Sequence, residues 1–202
     1  MLEVAERFKR RVNVADVTAR APKRLDVEGL MNYALRALGS RALSMGELRQ
    51  KLQRRAETRS DVDAVIAKLK EAGYLDDRRY ADTFATARLE NEGLGRSRVL
   101  RDLRQRRVAP ALAEQAVNRA FKETDETELI EAYLQRKFRG KDLKSWLAEE
   151  KNLAAAYRRL RYAGFSSGNS VRALKRYAER ADELEGTETD GPESDEPDAG
   201  ER

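Results

Sequence analysis

Two groups of side chains in this sequence could do chemistry. The first is the adjacent carboxylates Asp76 and Asp77, set in the stretch GYLDDRRYADTF at Gly73–Phe84. Two converging carboxylates would hold a divalent cation or share acid–base work. The second group is rich in arginine. Six arginines lie between Arg96 and Arg107, and smaller clusters stand at Arg49, Lys51, Arg54 and Arg55 and at Arg158, Arg159 and Arg161. Guanidinium forks suit phosphates and carboxylates alike. Other catalytic equipment is thin. The chain has no cysteine and no histidine, which removes thiolate chemistry, the commonest general base and the commonest metal ligand. It carries no phosphate-binding G-x-x-x-x-G-K-[ST], no G-x-G-x-x-G and no nucleophile elbow. A carboxylate–lysine nuclease site could exist without a motif, but the reading favoured here is a protein that binds and does not catalyse.

The carboxylate pair is better explained as the start of a helix. With Asp76 as N-cap, its side chain accepts from the free N–H groups of the first turn, and Asp77 sits at the positive end of the helix dipole. Leu75 and Tyr80 then occupy the two positions of a hydrophobic staple. Neighbouring residues on a helix point about 100° apart, so the two carboxylates do not converge on a metal.

The elements that position the arginines follow from similar signals. Gly and Pro together make up 16 of 202 residues, and Arg, Leu, Ala and Glu dominate, so an all-α fold is expected. Asp26 caps a first helix with Leu30, Ala34, Ala37 and Leu38 on one face. Ser44 and Glu47 form a capping box ahead of Leu48 and Leu52. Ser60 and Asp63 are read as the next start, with Val62, Val65, Ile66 and Leu69 inward and Gly73 at the end. Val99, Leu100 and Leu103 mark a helix, Pro110 opens another, Asp125 a further one, and Leu153, Tyr157 and Leu160 the next, which ends at Gly164. Ser166 or Ser167 caps the last. The stretch at 141–151 reads as an insertion.

These nine helices fall into three sets of three. ELRQKLQRR, VLRDLRQRR and AYRRLRYAG align on Leu52, Leu103 and Leu160, at steps of 51 and 57 residues. A repeat of this length indicates three tandem three-helix units in an elongated, curved array. The units are expected at 26–74, 75–122 and 123–181, with a flexible basic arm at 1–25 and a disordered acidic tail at 182–202. Stacking would line the middle helices into a basic strip, on which Arg98, Arg101, Arg104, Arg158 and Arg161 are the candidate contacts. A solvated helix face with ion-pair partners is the alternative, but Asp102 stands alone among the six arginines. Tyr157, Tyr162 and Phe165 could stack on bases, though Tyr157 reads better as core and Phe165 as a helix-end contact.

Charge placement points to a polyanionic partner. Residues 182–202 hold ten Asp/Glu and one Arg, a net of −9; the chain totals of 41 Lys/Arg and 36 Asp/Glu therefore leave +14 on residues 1–181. Nucleic acid is the first partner to consider, engaged mostly through phosphates, with the acidic tail as an internal competitor. No apolar run is long enough to span a bilayer, and the first 25 residues lack a signal-peptide stretch, so a cytoplasmic protein without membrane contact is expected.

Four stretches in order, SRALSMGEL (40–48), GYLDDRRYA (73–81), GLGRSRVLRDL (93–103) and LRYAGFSSGNSVRAL (160–174), resemble the signatures of the RecX family, bacterial regulators of the RecA recombinase. The resemblance covers about residues 28–178. It implies three three-helix units, binding in the groove of the RecA–DNA filament, and inhibition of strand exchange, ATP hydrolysis and co-protease activity in DNA repair and the SOS response. It implies contact with single- and double-stranded DNA, no cofactor, and action as a monomer. Arg107 stands where the family often carries Gly. A RecA-independent nucleic-acid-binding regulator, with SSGNSVR (166–172) as the start of a recognition helix, and a helical scaffold for protein partners alone are the alternatives.

Overall fold

The computed structural model describes residues 24–186. The expected basic arm, apart from Arg24 and Leu25, and the tail beyond Gly186 lie outside the described residues. The described chain is all-helical: α1 (Val27–Ser40), α2 (Met45–Gln53), α3 (Arg59–Glu71), α4 (Asp77–Glu92), α5 (Arg96–Gln105), α6 (Pro110–Ala120), α7 (Glu126–Lys137), α8 (Leu143–Leu147), α9 (Glu150–Tyr162) and α10 (Ser167–Lys175), then a 3-10 segment, Glu179–Gly186. Among the described residues the β-type pairing is a single parallel bridge between Leu25 and Ala56. No described helix is long and apolar enough to cross a membrane.

Most helix starts are where capping chemistry puts them. Ser44 and Glu47 make the reciprocal box, and Asp26, Asp76, Asp125 and Ser166 accept from first-turn N–H groups. The third start differs. Thr58, not Ser60, is the N-cap of α3, in a box with Asp61. Ser60 lies inside the first turn of α3, past the cap, with its hydroxyl 2.8 Å from Thr58 Oγ1.

The buried side chains form three clusters. The first runs from Leu30 to Leu75, the second from Ala81 to Val117, and the third from Ile130 to Ala181. Helices pack chiefly within their own cluster: α1, α2 and α3; α4, α5 and α6; α7, α9 and α10. Leu75 belongs to the first cluster, whereas Tyr80 packs against the second and stacks on Phe84 with centroids 6.1 Å apart. The staple expected between Leu75 and Tyr80 is thus divided between two cores. The insertion folds into α8: Asp142 caps it, Leu147 is buried, and Trp146 lies 4.5 Å from Phe138. The 3-10 segment carries order five residues into the expected acidic tail, anchored by buried Ala181 and partly buried Leu184 on the third cluster.

The middle helices α9, α5 and α2 meet head to tail. At one junction Gly95 N–H donates to Ala163 O (2.8 Å) and Ser97 N–H to Gly164 O (3.1 Å). Gly164 has φ +92°, and a Cβ there would fall 2.2 Å from Arg98 N. At the other, the Ser44 hydroxyl donates to Arg106 O and Arg107 Nε to Gln50 Oε1 (3.2 Å). A Cβ on Gly46 would fall 2.5 Å from both Cβ and O of Arg107. Arg107 is the counterpart of Gly164 and takes the same left-handed turn, φ 60°. This is a strained conformation for a residue with a Cβ, by about 1 kcal/mol.

Candidate nucleic-acid interface

The arginines divide into two classes once the junctions are known. One class is consumed in holding units together. Arg98 donates from Nε to Asp102 Oδ1 at 2.9 Å, and its guanidinium lies 4.6 Å over the Tyr162 ring of the next unit. Asp102, only 8 % exposed, also faces Arg88 Nε at 3.7 Å. The one acidic residue among six arginines is therefore a buried anchor for one of them, Arg98, and for Arg88 of the preceding helix. Arg106 reaches across the other junction to Glu47 Oε1 at 3.4 Å and lies 5.1 Å over Phe84. Glu47 also pairs with Arg41 at 3.0 Å, so one carboxylate caps α2 and ties two guanidinium groups.

The second class faces solvent. Arg101 and Arg158 are exposed and make no ion pair or hydrogen bond with the described residues. They occupy the same position in the repeat, two residues before Leu103 and Leu160. Arg104 is exposed and only loosely tied, 3.4 Å from Glu114 Oε1. Arg161 is exposed at its helix end but donates to Phe165 O at 2.6 Å, which fixes the α9–α10 turn. Of the five candidate contacts, Arg101, Arg104 and Arg158 present accessible charge, Arg161 is partly committed, and Arg98 is built into a junction.

Other candidates are also committed internally. Tyr157 is buried with its hydroxyl 2.7 Å from Ser167 Oγ. Phe165 is fully buried, edge-on to Tyr133. Tyr162 remains 59 % exposed but carries Arg98 on one face. In SSGNSVR, Ser166 and Asn169 converge on the Glu126 carboxylate, with Ser166 N–H at 2.9 Å, Ser166 Oγ at 2.6 Å and Asn169 Nδ2 at 2.5 Å. These groups tie α7 to α10 and are not presented for reading base edges. Burial alone would raise the Glu126 carboxyl, but these donors and the nearby Arg161 charge bring it below the usual glutamate range.

The Asp76–Asp77 pair serves two different helices. Asp76 accepts from Arg79 N–H at 3.0 Å and caps its own α4. Asp77 accepts from Met45 N–H at 2.7 Å, supplementing the cap of α2 in the neighbouring unit. Burial pushes the Asp77 carboxyl up; the Met45 N–H opposes the rise and the adjacent Asp76 charge adds to it. Sequence reasoning missed this role, as it missed that of Glu47 in binding Arg106. Each carboxylate takes a partner from another unit, which local patterns do not encode.

Comparison with known proteins agrees with this architecture. Family models described as the first and second three-helix domains of RecX match residues 31–69 and 76–117. The chain is 36 % identical to the Regulatory protein RecX of Deinococcus radiodurans over 111 residues, covering 54 % of this chain but only about half (52 %) of that protein. It is 34 % identical to the Regulatory protein RecX of Vibrio parahaemolyticus over 133 residues, covering 66 % of this chain and 81 % of that protein. The crystal structure of RecX from Lactobacillus salivarius superposes with a TM-score of 0.56 at 16 % identity, over 75 % of this chain and 96 % of that one, a likeness of fold. On the family models, the long match to the Vibrio protein and the tandem three-helix units, the chain belongs to the RecX family.

Proposed function

We propose that this protein binds the filament that RecA forms on DNA and lowers its strand exchange, ATP hydrolysis and co-protease activity. It acts as a cytoplasmic monomer in recombinational repair and the SOS response. The mechanism is occupancy and bridging, with no covalent step. The observation that supports this best is the pairing of Arg101 and Arg158, unpartnered and exposed at matched positions on two helices that abut end to end. Such a repeat of free charge suits a polyanion or filament surface that repeats as well. Guanidinium groups here would engage phosphates of single- and double-stranded DNA and acidic side chains of protomers together.

The test is to add the protein to RecA on single-stranded DNA and follow ATP hydrolysis. Substoichiometric protein is expected to slow it. Unchanged hydrolysis and strand exchange with equimolar protein at low salt would refute the reading; salt-sensitive DNA binding under those conditions would favour a RecA-independent regulator.

A further inference from the structure

The three middle helices share a register, and this register exposes the design of the two ends. Three residues after the aligned leucines Leu52, Leu103 and Leu160 stand the carbonyls of Arg55, Arg106 and Ala163. Ala163 O accepts from Gly95 N–H of the neighbouring unit, and Arg106 O accepts from the Ser44 hydroxyl of its neighbour. Among the described residues no further unit stands beside Arg55 O. It accepts from Leu25 N–H at 2.7 Å, within the chain's own N-terminal segment. One residue on, Gly164 O accepts from Ser97 N–H, and the matching Ala56 O accepts from Arg24 Nη1 at 3.0 Å. Arg24 and Leu25 thus occupy on the first unit the acceptors that a whole unit occupies on the other two.

The opposite end shows the same substitution. Eight residues before the leucines stand Ser44, Gly95 and Asn152. Ser44 and Gly95 each donate to a carbonyl at the C-terminal end of a neighbour's middle helix. Asn152 differs in place, being the third residue of α9 and past its N-cap Glu149; its Nδ2 donates to Trp146 O at 3.0 Å, in the last turn of α8, and to Glu149 Oε2 at 2.9 Å. The insertion stands where a fourth unit would dock. The strap at the other end does not fill its site: a hollow of about 310 Å³ remains there, lined by Arg24, Gln53, Ala56, Glu57, Thr58 and Arg59 among others.

We propose that the Arg24–Leu25 strap and α8 are end caps that close a head-to-tail docking surface, and that opening both lets a second copy of this chain dock as a further unit. The two surfaces differ, so the contact is heterologous and propagates as an open chain unless it is stopped. Helical arrays require capped ends for the same reason. Docking a free copy lacks the tether that joins units inside one chain, so it needs concentrations approaching the effective concentration of a tethered neighbour, on the order of 1 mM.

The experiment uses two full-length variants, each with one end opened. Arg24→Ala/Leu25→Pro removes both strap donors. Asp142→Ala/Trp146→Ala removes the cap of α8 and its packing on Phe138, and leaves Asn152 in place as a donor. Sedimentation of each alone, up to about 1 mM, should give the monomer mass. Their equimolar mixture should double it, and a variant carrying all four substitutions should grow further with concentration. A mixture that stays monomeric, or wild-type protein that itself forms growing chains, overturns the proposal. If the Trp146 substitution lowers helix content by circular dichroism, Asp142→Ala alone replaces it, and the same two outcomes decide. Mass is the readout, so the result is independent of any effect on RecA.

Discussion

Gly46→Ala separates the stability of a unit from the coupling between units, because the two effects have opposite signs. Gly46 lies in the first turn of α2. Alanine raises intrinsic helix stability there by up to about 1 kcal/mol. The new Cβ, however, falls 2.5 Å from Cβ and O of Arg107, about 1 Å inside ordinary contact. Backbone carbonyls do not swing aside as side-chain tips do, so α2 and the end of α5 must part. A shift of that size breaks the Ser44–Arg106 bond and the Arg107–Gln50 bond and strains Met45–Asp77. At about 0.5–1.5 kcal/mol per bond, the junction loses about 1–4 kcal/mol. The first core makes no contact through Gly46 and keeps its packing. Small-angle X-ray scattering should therefore show a broadened distribution of interparticle distances at unchanged circular dichroism. Hydrogen exchange should quicken at Met45 while the α3 amides stay protected. RecA inhibition should weaken. Arg107→Gly removes the opposing Cβ and the strain of the left-handed turn, so it should restore part of the coupling. Wild-type scattering together with wild-type exchange at Met45 would refute the view that this glycine sets the distance between units.

The two arginine classes should respond differently to charge reversal. Arg101→Glu/Arg158→Glu should leave thermal stability unchanged, weaken DNA and filament binding, and lower the slope of log affinity against log salt by about 2. Arg98→Glu should instead cost about 1–3 kcal/mol of stability in calorimetry, discounted from the usual figure for a broken buried pair because Arg88 still faces Asp102 and Arg98 is partly exposed. Acid sensitivity should trace to Glu126. Its carboxyl is lowered in the folded chain, so the stability it contributes is present above the ordinary glutamate range and is lost as pH falls through its folded value. Glu126→Gln should flatten the acid limb of a melting-temperature profile. Asp77 is raised, so its contribution is greatest below the ordinary aspartate range and declines as pH rises through its folded value. Asp77→Asn should change that slope in the opposite sense, and identical profiles for the two variants would contradict both assignments.

The helices and their order were legible in the sequence because each unit is built locally. Leucine and valine stripes at helical spacing define the faces, and capping residues are chemically distinctive. Errors arose where two local solutions compete. Thr58 and Ser60 are both competent caps in one turn, and only packing of the α2–α3 connection selects the earlier one. At 141–151 the core-seeking side chains are Leu143, Trp146 and Leu147, within a single helical turn, too little periodicity to identify a helix as short as α8. Leu75 and Tyr80 fit a staple by spacing, but the chain crosses from one core to the next between them.

The arginine strip was legible in composition and only partly in geometry. Helical phase places Arg98 and Arg101 opposite Leu103 and Arg104 on its flank, but it does not say what lies beyond the helix. For Arg98 the next unit lies there: Gly164 allows the close approach, Tyr162 receives the guanidinium and Asp102 pairs with it. For Arg101, one turn further along, no neighbouring unit intervenes, and the charge stays in water. The same residue type three positions apart thus becomes a structural fastener or a free cation according to its distance from the helix end. In this repeat, Arg98 and Arg106 near the junctions hold the array in line, and Arg101 and Arg158 at mid-helix are left to meet whatever the array is laid against.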